Sequence, residues 1–293
     1  MRGLLFESKR FTRVTTPPAI TRNPMDYIDY WWSLLSFGSS LKNSILVEYN
    51  SAYFRKRNSQ LYLCTYDCSG VQLMSTLLEL IKDGYTIKSW GMVHKNFTGL
   101  PIHRAYIEWY VPADYSVEYV VTRKGKAARG NKVLNKYNNG LARYTVVDQS
   151  TFTYHDALSL FEKWRKFAAP RHFMVTIGHY LEYLRLAYTV PDTAIRLLGF
   201  VDANGVLFGI SGWEVAPNGT AQFTFMKHLS GDNDFSTFFW IRSIEEILKD
   251  TNITKVLCGS TADDLKARLE MTPEIAYKID MKSIGGQDYD EGK

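Results

Sequence analysis

Apolar positions along the chain recur in two rhythms, and each rhythm predicts a kind of element. "SILVEYN" (44–50), "QLYLCTYD" (60–67), "YTIKSWGMV" (85–93) and "RAYIEWYVP" (104–112) alternate or run apolar over short spans bounded by polar turns, which predicts strands. "SGVQLMSTLLELIKDGY" (69–85) has the helical spacing, with Val71, Met74, Leu77, Leu78 and Ile81 on one face and Gly84 as the stop. "PMDYIDYWWSLLSFGSS" (24–40) reads as a helix with Pro24 in its first turn and Gly38 at its end. Residues 127–137 read as a helix ending at "NNG" (138–140), and "ARYTVVD" (142–148) as a strand. Two helices follow, at 153–168 with Thr153 as cap and at 176–190, stopped before Pro191.

From residue 194 the rhythm shortens to that of hairpins. Three strands are separated by "ANG" (203–205) and "PNG" (217–219), and Asn-Gly is a strong signal for a tight turn. Then come a helix at 234–250 with Asp234 or Ser236 as cap, a short strand "KVLCGS", a short helix "ADDLKARLE" and a last strand "AYKIDMK". The fold class this order predicts is α+β, mixed sheets flanked by helices. Five parts are expected: a basic extended arm (1–24) with three prolines in "TTPPAITRNP", a first unit (25–122), a basic linker helix (123–143), a second unit (144–283) and a tail (284–293). The two units share an element order, without a residue-level repeat.

Charge changes this picture at one place. The net charge is only +5, yet residues 123–143 carry Arg123, Lys124, Lys126, Arg129, Lys132, Lys136 and Arg143 and no acid. Arg129, Lys132 and Lys136 fall on one helix face, with Val133, Leu134 and Tyr137 on another. A helix that only needed solubility would mix signs, so the block points to a phosphate-bearing partner, with a solvated face as the alternative. A hydrophobic share of 45 % excludes a disordered chain, and no apolar run reaches the ~20 residues of a membrane span, so a cytoplasmic protein is expected. Three cysteines, Cys64, Cys68 and Cys258, are too few for a disulfide framework, and "CTYDC" lacks the partner ligands of a metal site.

Several segments together resemble the GNAT acyltransferases, and within them the tandem type found in Fem-type aminoacyltransferases and lysyl-phosphatidylglycerol synthase domains. "GKAARGNKVLNKY" resembles the basic helix of those families, "LFEKWRK" their acidic helix with Trp, "GVLFGISGWEVAPNGTAQFTFMKHLSG" their meander, and "VLCGSTADDLKARLEMTPEIAYKI" their closing strand–Gly–helix–strand. These segments span about residues 115–280. The resemblance implies two GNAT-like units in tandem. One departure is plain: the turn that grips acyl-CoA pyrophosphate in ordinary GNAT enzymes falls at "HLSGDNDFS", with one Gly and two Asp, which repel phosphate.

The resemblance also implies an activity: transfer of an activated acyl or aminoacyl group to an amine or hydroxyl, with acyl-CoA or aminoacyl-tRNA as donor substrate and no tightly bound cofactor or metal. The candidate catalytic residues are Glu214, on the meander strand where such enzymes carry a carboxylate, and His228, ending the next strand. Arg129, Asn131, Lys132, Lys136 and Lys227 are candidates for holding substrate or phosphate, and Lys266 and Tyr277 match the family's late Lys and Tyr. Cys258 has no neighbouring base in sequence and reads as a small strand residue. The acceptor is open; an amine-bearing modified base in nucleic acid fits the basic segments. A non-catalytic nucleic-acid-binding protein on a degenerate GNAT scaffold is the competing expectation.

Overall fold

The structure, a computed structural model, describes residues 11–14, 44–89, 92–93, 99–124, 128–168, 178–189, 195–215, 219–229, 233–259 and 263–288. The expected helix at 24–40, most of the arm and the end of the tail lie outside these residues. The chain divides into two compact units, residues 1–107 with 275–293 and residues 108–274. Strands β7 (Ile102–Pro112) and β13 (Thr272–Ile279) each run from one unit into the other.

The first unit is built on a sheet ordered β1-β2-β3-β4-β5-β14, from β1 (Thr12–Arg13), β2 (Ile45–Tyr49), β3 (Ala52–Arg57), β4 (Gln60–Tyr66), β5 (Thr86–Ser89) and β14 (Gln287–Asp288). β1 to β4 are antiparallel, and β5 lies parallel to both β4 and β14. A two-residue strand, β6 (Met92–Val93), pairs with the Tyr277–Lys278 end of β13. Strand β3, "AYFRKR", has no counterpart in the sequence reading, since its basic second half hides the alternation. Its Ala52 and Phe54 are fully buried.

Helix α1 (Gly70–Lys82) connects β4 to β5. Ser69 caps it: its hydroxyl accepts from Gln72 N–H while the Gln72 side chain accepts from Ser69 N–H, satisfying two end donors reciprocally. Gly84, at φ +88°, ends it in the left-handed region, as the sequence implies. The buried face differs from the expected one. Leu73, Leu77 and Leu80 enter the core, while Val71 and Leu78 are 67 % and 44 % exposed. Two apolar stripes compete on this helix, and the one flanked by the small buried Gly70 and Thr76 seats closer to the sheet.

The second unit contains α2 (Val117–Arg123), α3 (Ala128–Arg143), β8 (Tyr144–Asp148), α4 (Tyr154–Ala168), α5 (Gly178–Thr189), β9 (Ile195–Asp202), β10 (Leu207–Val215), β11 (Thr220–His228), α6 (Asn233–Ile247), β12 (Lys255–Leu257) and α7 (Asp263–Arg268). Its strands run in the order β7-β12-β11-β10-β9-β8. Thr153 and Asp156 cap α4 through reciprocal bonds of 2.8 and 3.1 Å. Asp202 folds the "ANG" turn by accepting from Asn204 N–H and Val206 N–H.

Two expectations change here. α3 runs past "NNG" to Arg143, because Gly140 is a packing residue and not a stop: a Cβ there would overlap the Phe238 ring of α6. Asp234 sits inside the first turn of α6, which begins at Asn233, so it acts on the helix dipole from within. Helix α6 covers one sheet face through Phe235, Phe238 and Phe239, which cluster on Phe200 of β9. Helices α4 and α5 cover the opposite face, where Phe161 and Tyr180 meet Phe225 of β11.

Candidate functional site

The basic block builds one wall of a cleft in the second unit, about 400 Å³ in volume. Lys124, at the end of α2, and Arg129, Lys132, Val133 and Lys136 of α3 line it, together with Thr237 of α6 and Leu265, Arg268 and Leu269 at α7. Five of these nine carry positive charge and none negative. A concave, low-dielectric wall of one sign focuses potential on an anion.

Two of the cations are engaged at its rim. Lys124 pairs with Glu270 at 2.8 Å, and Lys136 with Asp234 at 2.9 Å. Hydrogen bonding from Lys136 and then from Asn139 holds the Asp234 carboxyl below the usual carboxylate range. Arg129 and Lys132 are exposed to solvent on the cleft side. Asn131 is exposed but outside the lining, and Val133, expected toward the core, faces the cleft. Tyr137 is buried as expected and donates to Glu245, whose carboxylate also accepts from Val117 N–H at the start of α2. Glu245 of α6 thus fastens α2 and α3 in place, while Asp234 of the same helix and Glu270 each neutralise one cleft cation and leave Arg129, Lys132 and Arg268 as the rest of the positive wall.

A second feature lies at β11. It pairs in parallel with β12 through Thr220, Ala221 and Gln222 only, and its remaining residues extend beyond that pairing. The two strands part at a β-bulge: Gly212 of β10 faces Phe225 and Trp213 faces Phe223, leaving Thr224 as the extra residue. On the β12 side of the opening, Gly259 takes φ +76°. Its N–H donates to the buried Glu108 of β7, and its carbonyl accepts from Lys266 of α7. Lys266 is completely buried, with its ammonium 5.6 Å from the Trp240 ring centroid. Burial raises the pKa of the Cys258 thiol, and the Lys266 charge opposes this only in part, so Cys258 is a closed-off thiol and not a nucleophile.

Strand alternation sorts the remaining candidates. His228 faces α6: its Nε2 lies 3.2 Å from Ser236 Oγ, and its ring sits 5.1 Å from Phe235 and 5.3 Å from Phe239. Lys227 faces the opposite way, with its ammonium 4.3 Å from the centroids of both Trp164 (α4) and Tyr180 (α5). Burial lowers the Lys227 amine to about 8, while the two ring faces favour its charged form. Glu214, fully buried, stands opposite Gln222 on the Lys227 side.

Glu214 and His228 are therefore on opposite faces of the sheet. His228 stands across from Gly209, five positions along β10 from Glu214, which is on the order of 17 Å. The structure does not bring them into one cleft. Tyr277 belongs to the first unit, where it packs against the core around Leu73 and Met281. Sequence reasoning missed Glu108, Gln222, Thr224 and the Trp164–Tyr180 pair around Lys227. The signal for two of them was present: between Thr220 and Lys227 in "TAQFTFMKH", Gln222 and Thr224 are the polar residues of an otherwise apolar run.

An antiparallel meander, a helix, and a strand returning parallel to the last one occurs in both units, as β2-β3-β4-α1-β5 and as β9-β10-β11-α6-β12. This is the GNAT architecture, present twice along the chain, as the sequence resemblance implied. Known structures agree on the fold. A conserved protein of unknown function from Bacteroides thetaiotaomicron superposes with a TM-score of 0.65 at 14 % identity, covering 91 % of this chain and 97 % of its own. L-PGS from Bacillus licheniformis gives 0.57 at 11 % identity over 83 % and 85 %. FemX gives 0.52 at 10 % identity over 80 % and 84 %. No protein-family model matches the chain, and no curated protein matches it by sequence. Among the described residues no group of side chains could hold a metal ion, and no helix is long and apolar enough to cross a membrane.

Proposed function

We propose that the second unit transfers an acyl or aminoacyl group from an activated, phosphate-bearing donor to an amine or hydroxyl. The observation that carries this reading is the end of the β11–β12 pairing after Gln222, where Phe223 of β11 meets Trp240 of α6 and Gly259, beyond β12, meets Lys266 of α7, two helices whose other residues line the cationic cleft. Beyond Gln222, alternate backbone N–H groups of β11 point to the side that β12 has left, where they suit an oxyanion. The cleft then holds the donor's phosphates at Arg129, Lys132 and Arg268.

Between the two donors, aminoacyl-tRNA is favoured over acyl-CoA. A pyrophosphate at the start of α6 would meet the Asp234 carboxylate, already seated there by Lys136 and Asn139. In the transfer, the acceptor's neutral amine attacks the donor carbonyl, a C–N bond forms, and the ester C–O bond breaks, the leaving oxygen taking a proton. Lys227 is the residue assigned to remove the amine's proton, because its depressed pKa leaves part of it neutral near pH 8. Glu214 shares its face of the sheet; His228 does not.

The test is single-turnover transfer from labelled aminoacyl-tRNA and from labelled acyl-CoA to an amine acceptor, for the native chain and for Arg129→Glu/Lys132→Glu. Transfer by the native chain that the double variant loses at low donor concentration supports the reading. Salt-sensitive binding of tRNA with no transfer from either donor overturns it and leaves a nucleic-acid-binding protein.

A further inference from the structure

We infer that the outer face of α3 is a docking surface for the duplex stem of an RNA, continuous with the cationic cleft. The inference rests on the transferase reading and gives its donor a second contact, outside the cleft. Gly130, Tyr137 and Gly140 are buried and fix the inner side of α3. At 3.6 residues per turn the opposite side carries Asn131, Asn135, Asn138 and Ala142, spaced by four, three and four, and all four are exposed.

Beside this amide stripe runs a cationic one, made by Arg129, Lys132, Lys136 and Arg143. Its first three members line the cleft, Lys136 already paired with Asp234. Arg143 is exposed at the far end, its guanidinium 5.4 Å from the Tyr144 ring centroid. The two stripes therefore lead away from the cleft along the helix, over about 21 Å from Arg129 to Arg143 at 1.5 Å per residue. No residue of α3 is acidic.

Helix stability does not account for the amides. Asn is among the poorer helix formers, because its side chain competes for backbone groups, and a face built for solubility would mix Glu with Lys. Asn139 donates to Asp234 at 3.4 Å, whereas the side chains of Asn131, Asn135 and Asn138 bond to no other group among the described residues. A cation meets phosphate, while an amide both donates and accepts. An A-form RNA duplex offers phosphates beside rows of 2′-hydroxyls in a wide, shallow minor groove, which matches a cationic stripe beside an amide one. A bilayer surface matches it poorly: Leu141 is the large apolar side chain that α3 exposes, and its position lies on the flank away from the cations.

Fluorescence titration of the full chain tests this without turnover. The probes are an RNA hairpin with a 3′ single-stranded tail, the DNA hairpin of the same sequence, the RNA tail alone and phosphatidylglycerol vesicles. The expected result is binding of the RNA hairpin at least tenfold tighter than the DNA hairpin or the tail, and at least a tenfold loss in Asn131→Ala/Asn135→Ala/Asn138→Ala. Amides release no counterions, so this variant should keep the native salt slope, while Arg143→Gln should flatten it by about one unit. It should also melt no lower than the native chain, since Ala is the better helix former. A lower Tm would assign the amides to stability and overturn the inference. So would equal binding of the DNA hairpin or of the tail, tighter binding of the vesicles, or a triple variant that binds RNA as the native chain does. A chain that binds the RNA hairpin through these amides yet transfers from neither donor would overturn the transferase reading alone.

Discussion

The bulged strands β4 and β11 have the same construction and opposite contents. Each closes an antiparallel meander, each pairs in parallel at its outset with the strand after the next helix, and each carries its extra residue four positions after the first parallel pair: Cys64 in β4, Thr224 in β11. In the first unit every polar group at that position is used locally. The Cys64 thiol is buried, donates to the Tyr62 carbonyl at 3.3 Å, and is pushed up to about 12 by burial. Tyr62, in the place of Gln222, donates its hydroxyl to Gln60 at 3.0 Å. In the second unit the same two places hold a hydroxyl and an amide oxygen that are buried and unbonded. One unit spends its bulge on packing; the other keeps unpaired acceptors at its bulge, a cost that a substrate can offset.

Lys227 gives the largest expected effect that can break this contrast. Lys227→Met preserves the apolar stem against Trp164 and Tyr180 and removes the amine, so single-turnover transfer should fall by about 10²–10⁴-fold with the fold intact, the range for a lost general base. A loss under tenfold would leave the second unit without its proton acceptor. Next comes the cleft. Arg129→Glu with Lys132→Glu should weaken donor binding by ~1–3 kcal/mol for each phosphate left without its cation, read as a higher KM and a flatter salt dependence. Both side chains are exposed, so Tm should move by little. Lys136 is the poorer choice for this test, because its reversal would also set two acids against each other at Asp234.

The order of elements was legible because each meander strand and amphipathic helix carries its own period, and the tandem fold followed from that order plus scattered motifs. The basic helix was legible too, since seven cations without an acid stand out in any window. What stayed hidden depended on register. Whether Glu214 and His228 share a face turns on one extra residue in β11, and no local pattern marks Thr224 as a bulge. The stop expected at "NNG" failed because Gly140 answers to Phe238, nearly a hundred residues away. Lys266 matched a family position, but its burial against Gly259 is a tertiary fact.

A smaller effect should follow from giving the first unit the second unit's chemistry. Cys64→Thr puts a hydroxyl in the buried place of the thiol, where it can still donate to Tyr62, so the expected cost is about 1 kcal/mol, seen in urea unfolding. Transfer should not change. A tenfold fall in transfer by a variant that remains folded would mean that both bulges serve the reaction, and the division of labour between the units would be wrong.

The smallest effect concerns pH, and its sign is fixed by the direction of one shift. Burial lowers the Lys227 amine from an ordinary value near 10.5 to about 8 in the folded chain. Below pH 8 both states carry the proton, and the folded state bears the full cost of a desolvated ammonium. Between pH 8 and about 10 the unfolded chain holds more protons than the folded one at this site, so stability rises with pH. The bare shift corresponds to about 3 kcal/mol at 1.36 kcal/mol per unit, but the half-buried amine keeps some solvent and two ring faces, which reduces the expected gain to ~1 kcal/mol. Groups held above their ordinary value pull the other way once their unfolded counterparts ionise, the phenol of Tyr188 near pH 10 and the buried Cys64 and Cys258 thiols already near pH ~8.5, so the readout between about pH 7.5 and 9.5 is the difference between the native chain and Lys227→Met, in which these other groups cancel. The urea midpoint of the native chain should rise relative to that of Lys227→Met across this window. Equal slopes would mean that the rings hold Lys227 charged throughout, and the proton in the transfer step would then have to go to Glu214.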